Sequence, residues 1–134
     1  MGHGWLRTAV AVFAMLQGAA HVTWFVGAWI PRAGLIGPQP WLFSPGVTIT
    51  GAVSRLAGLL AVIATAGFVA AGIGLLTAAG WWPAAMLAAV ALSTVVVVPW
   101  WRASFPPSLN ATLANVGLAL VTVIPVVRDL AQLS

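Results

Sequence analysis

The residues with the clearest capacity for chemistry lie on one face of the first apolar segment. Gln17, His21 and Trp24 are spaced i, i+4 and i+7, so a helix presents them on the same side. Imidazole can serve as a general base near neutral pH, and the amide and indole groups supply hydrogen bonds. The same three side chains can instead join neighbouring helices by hydrogen bonds, without touching any ligand.

Polar residues of the other apolar segments are expected at the same depth. Successive membrane helices alternate in direction, so the second half of the first segment lies level with the start of the second, the end of the third and the start of the fourth. Those places hold Arg55, Ser93, Thr94, Asn110 and Asn115. The opposite half holds little beyond Thr8, Thr77 and Thr122. Polar groups inside membrane helices are costly and usually face a bundle interior or a wet cavity.

These eight residues are our candidate ligand-binding site. We predict that Gln17, His21 and Trp24 line a shared polar pocket with the five residues of the other segments, and that His21 and Arg55 are its chief groups. The alternative is that Arg55 extends its guanidinium to the lipid headgroups. On that view His21 and the asparagines only connect helices.

Most catalytic and metal sites are excluded by what the chain lacks. Asp129 is the single acid, and there is no cysteine, so paired carboxylates and thiolate chemistry are impossible. A metal site would need more than His21 and the distant His3. We therefore predict no cofactor and no metal. One enzymatic alternative stays open, with His21 as a general base and Ser93 or Thr94 as its partner.

Composition indicates a membrane-embedded chain rather than a soluble one. The 134 residues are 62% hydrophobic and 4% charged, whereas a soluble domain carries about 25% charged residues. The net charge of +4 comes from scattered arginines, which form no patch for nucleic acid. Most of the eight tryptophans stand at the ends of apolar runs, where indole prefers the membrane interface.

The elements that must position the site are four membrane helices. Apolar runs at about 5–30, 56–79, 83–98 and 109–127 each approach the length needed to cross a hydrocarbon core of about 30 Å. Backbone groups cannot stay unpaired in lipid, so such runs must be helical. We predict an all-α, polytopic membrane protein in which residues 1–134 form a single four-helix transmembrane domain.

Two features of the predicted bundle concern its packing. Residues 31–46 are rich in Pro and Gly and include Trp41, Leu42 and Phe43, which predicts an ordered interfacial loop rather than a helix. Small residues concentrate in the second segment, among them Gly67, Ala70, Ala71, Gly72 and Gly74. They favour close helix packing within the bundle over a homodimer face.

Orientation depends on a nearly balanced distribution of arginine. Arg7 and Arg128 stand on one side with Asp129, and Arg32, Arg55 and Arg102 stand on the other, so the positive-inside rule gives no excess. We place both termini in the cytoplasm, because the second connection is short and the elaborate first loop suits the outer face.

Four short motifs resemble those of the small four-span bacterial membrane proteins of the DoxX-like kind. They are Gln17-Gly-Ala-Ala-His21, Leu42-Phe-Ser-Pro-Gly46, Arg55-Leu-Ala-Gly-Leu-Leu60 and Trp81-Trp82. The resemblance implies a four-helix architecture and an inner-membrane location. It implies no particular activity, and the absence of cysteine sets this chain apart from relatives with redox roles.

Two functional hypotheses follow from these observations. The first is an integral membrane protein that binds a lipid-like or amphipathic small molecule, or that serves as an accessory subunit in a homo-oligomer or a larger membrane complex. The second is an intramembrane enzyme acting on an apolar substrate of the isoprenoid or quinone type, with His21 as base and Arg55 holding an anionic or carbonyl group.

Four spans place both ends of the chain on the same side of the membrane. Topology reporters fused separately to the two termini should therefore give the same sidedness. Opposite signals from the two fusions would show that the number of spans is odd.

Overall fold

Helical structure follows the apolar runs of the chain. The computed structural model describes residues 4–30, 34–125 and 129. Every regular element within them is helical: α1 (Gly4–Ala20), α2 (Val22–Trp29), α3 (Ala52–Leu76), α4 (Trp82–Val97), a 3₁₀ turn (Val98–Trp100) and α5 (Pro107–Val123). Prolines stand in the first turns of α4 and α5, where the missing N–H leaves no bond unmade. The prediction of an all-α chain is confirmed for the described residues.

Three helical segments are long and apolar enough to cross a membrane. They are Gly4–Trp29, which combines α1, His21 and α2 in 26 residues, Ala52–Leu76 with 25, and Trp82–Trp100 with 19. The fourth apolar helix, Pro107–Val123, has 17 residues. The helices are therefore compatible with an integral membrane protein. The second predicted span corresponds to α3, which begins at Ala52 rather than near residue 56. The predicted end of the fourth span, near residue 127, lies outside the described residues, and so do Arg32 and Arg128.

α3 is the central helix of the bundle. It packs against α1 and α2 on one side and against α4 on the other, while α5 packs mainly against α4. Its small residues allow this close approach: Gly58 meets Phe25 and Ala28 of α2, and a Cβ at Gly67 would lie 3.0 Å from that of Ala89 on α4. The small residues therefore face helices of the same chain.

The outer surface of the bundle is apolar. Leu16, Val95 and Leu113, on three different helices, are 61–64% exposed. The side chains in the core include many alanines, such as Ala61 and Ala71, both fully buried. Large apolar side chains outside and small ones between helices are the pattern that lipid favours, because lipid does not drive large side chains inward.

The end of α3 is bonded to the first helix. The Arg7 Nε–H donates to the main-chain oxygen of Leu75 over 2.5 Å, in the last turn of α3. Carbonyls of a last helical turn have no partner within the helix, and a cation there also interacts favourably with the helix dipole. Arg7 thus joins α1 to α3 at the end of the bundle where α3 turns into α4.

The connection between α2 and α3 lies over the connection between α4 and α5. Gly37 donates its main-chain N–H to Ala103 O (2.9 Å), and the Trp41 indole N–H donates to Val98 O (2.6 Å). Ile36 packs against a second core cluster that includes Trp24 and Trp100. Trp41, Leu42 and Phe43 stay 41–48% exposed. The predicted loop 31–46 is described from residue 34 onward, and its first three residues lie outside the described residues.

Gly18 marks a close contact between α1 and α3 and yields a prediction. A Cβ at this position would lie 2.9 Å from Phe68 Cβ and 3.1 Å from Thr65 O, both fixed to the α3 backbone. Gly18→Ala should lower the free energy of unfolding by about 1–3 kcal/mol through overpacking. Gly117→Ala is the matched control, because no atom lies within 4 Å of its added Cβ. It should be neutral or stabilising by up to about 1 kcal/mol. Unfolding in mixed micelles by dodecyl sulfate measures both, and equal effects would contradict the packing argument.

Candidate functional site

His21 interrupts the first long helix between α1 and α2. Its main-chain N–H donates to Gly18 O (3.0 Å) instead of to the carbonyl four residues back. That carbonyl, on Gln17, is bonded instead by the His21 ring nitrogen Nδ1 over 2.7 Å. The backbone at His21 keeps near-helical angles, φ −69° and ψ −19°. The side chain thus replaces the main-chain bond that the break removes, which lipid requires.

A hydrogen-bond cluster joins α1, α4 and α5 at this break. We call it the His21 cluster, and its members are Gln17, His21, Ser93, Thr94 and Asn115. His21 Nε2 lies 2.6 Å from Ser93 Oγ, Asn115 Nδ2 lies 2.7 Å from Ser93 Oγ, and Gln17 Nε2 lies 3.2 Å from Asn115 Oδ1. His21, Ser93 and Asn115 are at most 3% exposed. Three helices are therefore held together by buried polar side chains.

The directions of these bonds follow from counting protons on a neutral ring. A carbonyl only accepts, so His21 Nδ1 carries the proton that bonds Gln17 O, and Nε2 must accept. The Ser93 hydroxyl donates to Nε2 over 2.6 Å in preference to Asn115 Oδ1 at 3.1 Å. Gln17 Nε2 already donates to that Oδ1 and to Ala111 O.

The Asn115 amide completes the cluster. Its Nδ2 protons go to Ser93 Oγ and, over 3.3 Å, to Thr94 Oγ1, while the Thr94 hydroxyl donates to Val90 O. Every donor proton in the cluster thus has an acceptor. A buried polar network that is fully paired in this way stabilises one arrangement of the helices.

The structure brings five of the eight predicted residues together in the His21 cluster and places Trp24, Arg55 and Asn110 outside it. Trp24 is buried against Trp100, with ring centroids 6.1 Å apart, and lines the same cavity as His21. Arg55 is exposed, with its guanidinium 5.5 Å from the centre of the Trp29 ring, so it does not share a pocket with His21. Asn110 is also exposed, because five residues before Asn115 is about 140° around the helix.

A cavity of about 220 Å³ lies beside the His21 cluster. It is enclosed by the break between α1 and α2, the loop before α3, the end of α4 and the start of α5. Its lining residues are Ala20, His21, Thr23, Trp24, Leu35, Ile36, Val97, Ser104, Pro107, Ser108 and Ala111. Four of them, Ala20, Thr23, Leu35 and Pro107, are exposed. The mouth is therefore bordered by the α1–α2 break, the loop before α3 and the start of α5.

Three polar residues of the cavity were not among those predicted from the sequence: Thr23, Ser104 and Ser108. Ser104 and Ser108 lie in and after a connection that contains Pro106, which the sequence predicts to be irregular. The structure shows turns over residues 101–106 before α5 begins at Pro107, and Ser108 N donates to Ser104 O over 3.0 Å. No helical periodicity therefore linked these two serines in the sequence. Thr23 stands two residues after His21, so the helical pattern gave no reason to group it with that side chain.

The arrangement favours binding over catalysis. Ser93 and His21 have the separation of a nucleophile and its base, but Ser93 is fully buried and does not line the cavity. Its oxygen is also held by Asn115. Within the described residues no group of three or more potential metal ligands occurs. The cavity thus offers shape and hydrogen bonds but no reactive group in contact with its contents.

Comparisons with known proteins found no match: no family model, no curated protein and no solved structure is similar to this chain.

Asn115 is the member of the His21 cluster that contacts both α1 and α4. Asn115→Leu removes one hydrogen-bond partner each from Gln17 Nε2, Ser93 Oγ and Thr94 Oγ1, so the free energy of unfolding should fall by about 1–3 kcal/mol. Asn110→Leu, on the exposed face of the same helix, should change it by less than about 0.5 kcal/mol. Thermal unfolding of the purified protein in detergent measures both. Equal stabilities of the two variants would mean that the cluster contributes nothing.

Proposed function

We propose that this chain is a four-span protein of the bacterial inner membrane, with cytoplasmic termini, that binds a small amphipathic molecule in the cavity beside His21. The observation that carries the proposal is the exposed mouth of this cavity at Ala20, Thr23 and Pro107, which on this proposal faces the bilayer. A molecule dissolved in the bilayer can enter there without crossing water. Apolar walls from Trp24, Ile36 and Val97 and polar groups from His21 and Ser108 suit a molecule with both characters.

The length of α5 supports a fourth span. Its 17 residues extend about 26 Å, at the lower end of the range that crosses a hydrocarbon core. Leu113 and Val123, 60–61% exposed, would face lipid acyl chains. On this proposal Trp41, Leu42 and Phe43 lie in the headgroup region, where aromatic side chains are favoured. Arg55 beside Trp29 would then meet headgroups at the same level.

The resemblance to DoxX-like proteins belongs to this proposal. Two of the residues that carry it, Gln17 and His21, are members of the His21 cluster. A third motif residue, Trp82, is buried, and a Cβ at Gly74 would lie 3.0 Å from Trp82 Cβ. These three motif residues thus take part in the packing of the helices.

Catalysis by His21 is the second candidate function, and one distance favours it. His21 Nε2 and Ser93 Oγ are 2.6 Å apart, as in a base and nucleophile pair. A substrate in the cavity would reach Ser93 only after the bond to Asn115 had broken and the helices had separated. An accessory role in a homo-oligomer or larger complex is the third candidate, and masses of bound chains would reveal it.

Blocking the mouth of the cavity tests the proposed binding. Ala20→Phe puts an aromatic ring on the rim, and it should reduce the fraction of protein that carries a co-purified small molecule at least about tenfold, a loss of about 1.4 kcal/mol. Native mass spectrometry from a gentle detergent measures that fraction. Ala19→Phe is the control, since Ala19 is equally exposed but does not line the cavity.

Arg55→Gln separates this site from the pocket expected from the sequence. It should leave the bound molecule in place, because Arg55 lies outside the cavity lining. Loss of the molecule from Ala19→Phe as well as from Ala20→Phe, or no bound molecule in the unaltered protein, would reject the proposal.

A further inference from the structure

The hydroxyl groups that line the cavity already donate their protons to main-chain oxygens of the protein. Thr23 Oγ1 donates to Ala20 O over 2.7 Å, and Ser108 Oγ donates to Trp101 O over 2.8 Å. Ser104 Oγ donates to Trp100 O over 3.2 Å. A hydroxyl has one proton and two lone pairs. These three oxygens therefore offer a bound molecule lone pairs and no proton.

Two polar side chains remain in the lining. One is the Trp24 indole, whose N–H can donate to a ligand oxygen of either an alcohol or an ether. The other is His21, whose ring nitrogens are already bonded. Its Nδ1 proton bonds Gln17 O, and its Nε2 accepts the Ser93 hydroxyl. A ligand therefore meets the carbon atoms of the ring rather than a free nitrogen. Breaking either bond would leave a buried polar atom unpaired in surroundings poor in water.

The start of α5 does not provide donors for an anion. Pro106 and Pro107 have no N–H, and the next two main-chain N–H groups, of Ser108 and Leu109, already bond Ser104 O and Pro106 O over 3.0 Å. None of the described residues that line the cavity is charged. An anionic head would thus lose its hydration without gaining a counter-charge from these lining residues.

We infer that the cavity selects a neutral amphipathic molecule whose head donates hydrogen bonds, such as a long-chain alcohol, over an anionic or purely accepting one. The inference rests on the proposed function and specifies its ligand class. The O–H group of an alcohol can donate to an unused lone pair of the Ser108 or Thr23 oxygen, and no hydrogen bond of the protein is broken. Rotating those hydroxyls to serve an accepting ligand would instead leave Ala20 O or Trp101 O without its hydroxyl donor.

The size of the cavity fits a head group with the first part of a chain. A cavity of about 150 Å³ holds benzene, so about 220 Å³ accommodates roughly nine non-hydrogen atoms at the same density. The rest of a longer chain would leave through the mouth beside Ala20 and Pro107 into the surrounding lipid. Apolar walls from Trp24 and Val97 match the first methylene groups.

Three probes of equal chain length test the selection: 1-dodecanol, dodecyl methyl ether and dodecyl phosphate. Each is radiolabelled and equilibrated with the full chain in phosphatidylcholine nanodiscs, and binding to empty nanodiscs is subtracted. The alcohol should bind about 3- to 10-fold more tightly than the ether, the value of one hydrogen bond. The phosphate should bind no more tightly than the ether.

A pair of serine variants assigns the effect to the cavity. Ser108→Ala should weaken binding of dodecanol about 3- to 10-fold and leave binding of the ether unchanged. Ser54→Ala is the matched control: Ser54 is equally buried and donates to Thr48 O over 2.6 Å, but it does not line the cavity. If Ser108→Ala does not fold, Thr23→Val on the rim replaces it, with the same expected loss.

The outcomes separate the two proposals. Tighter binding of the phosphate or the ether than of the alcohol, abolished by Ala20→Phe, would overturn the ligand class and leave the binding cavity standing. Equal alcohol affinity in the Ser108→Ala or Thr23→Val variant and in Ser54→Ala would also overturn the ligand class. Binding of all three probes that Ala20→Phe does not change would overturn the proposed function itself.

Discussion

The structure depends on the requirement that polar atoms among apolar helices find partners within the protein. At the break between α1 and α2 the main chain cannot meet this requirement alone, and the ring of His21 bonds the carbonyl of Gln17 in place of the missing N–H. The other ring nitrogen then needs a donor, which Ser93 supplies from α4. Ser93 in turn accepts from Asn115 on α5. One interruption of one helix thus determines how three helices meet.

The two sides of the bundle are held together by different interactions, close packing around α3 and hydrogen bonding between α1 and α5. Around α3, the contacts are steric: a methyl group does not fit at Gly18 without a shift of α3, and at Gly67 it would crowd Ala89 of α4. Phe68 of α3 fills the space beside His21, with ring centroids 5.7 Å apart. α5 has few contacts with α1 of this kind, and the Gln17 side chain joins the two helices instead. The cavity lies along this less closely packed seam.

Sequence reasoning reached the depth of the site but not its rotation around each helix. Depth follows from the alternating direction of successive spans, which brought Ser93 and Asn115 level with His21. Rotation needs the packing partner of each face, so Arg55 and Asn110 were selected at the right level although they face outward. Ser108 was missed for a different reason: it follows a connection of irregular turns, and no periodicity shows which way such a connection directs its side chains. The helical secondary structure and the apolar outer surface could be predicted, because they follow from the apolar composition of the chain and its long apolar runs.

The paired state of the His21 cluster also favours the proposed binding over catalysis. A base must exchange its proton during turnover, and here both nitrogens of His21 are bonded, one across the helix break and one to α4, so catalysis would loosen the joint of α1, α4 and α5 in every cycle. The proposed binding makes no such demand, because a ligand would contact ring carbons and hydroxyl lone pairs that the helices leave unused. On this proposal the cavity would fill and empty while the bundle stays closed. A chain with one acid and no cysteine can build this kind of site from neutral groups alone.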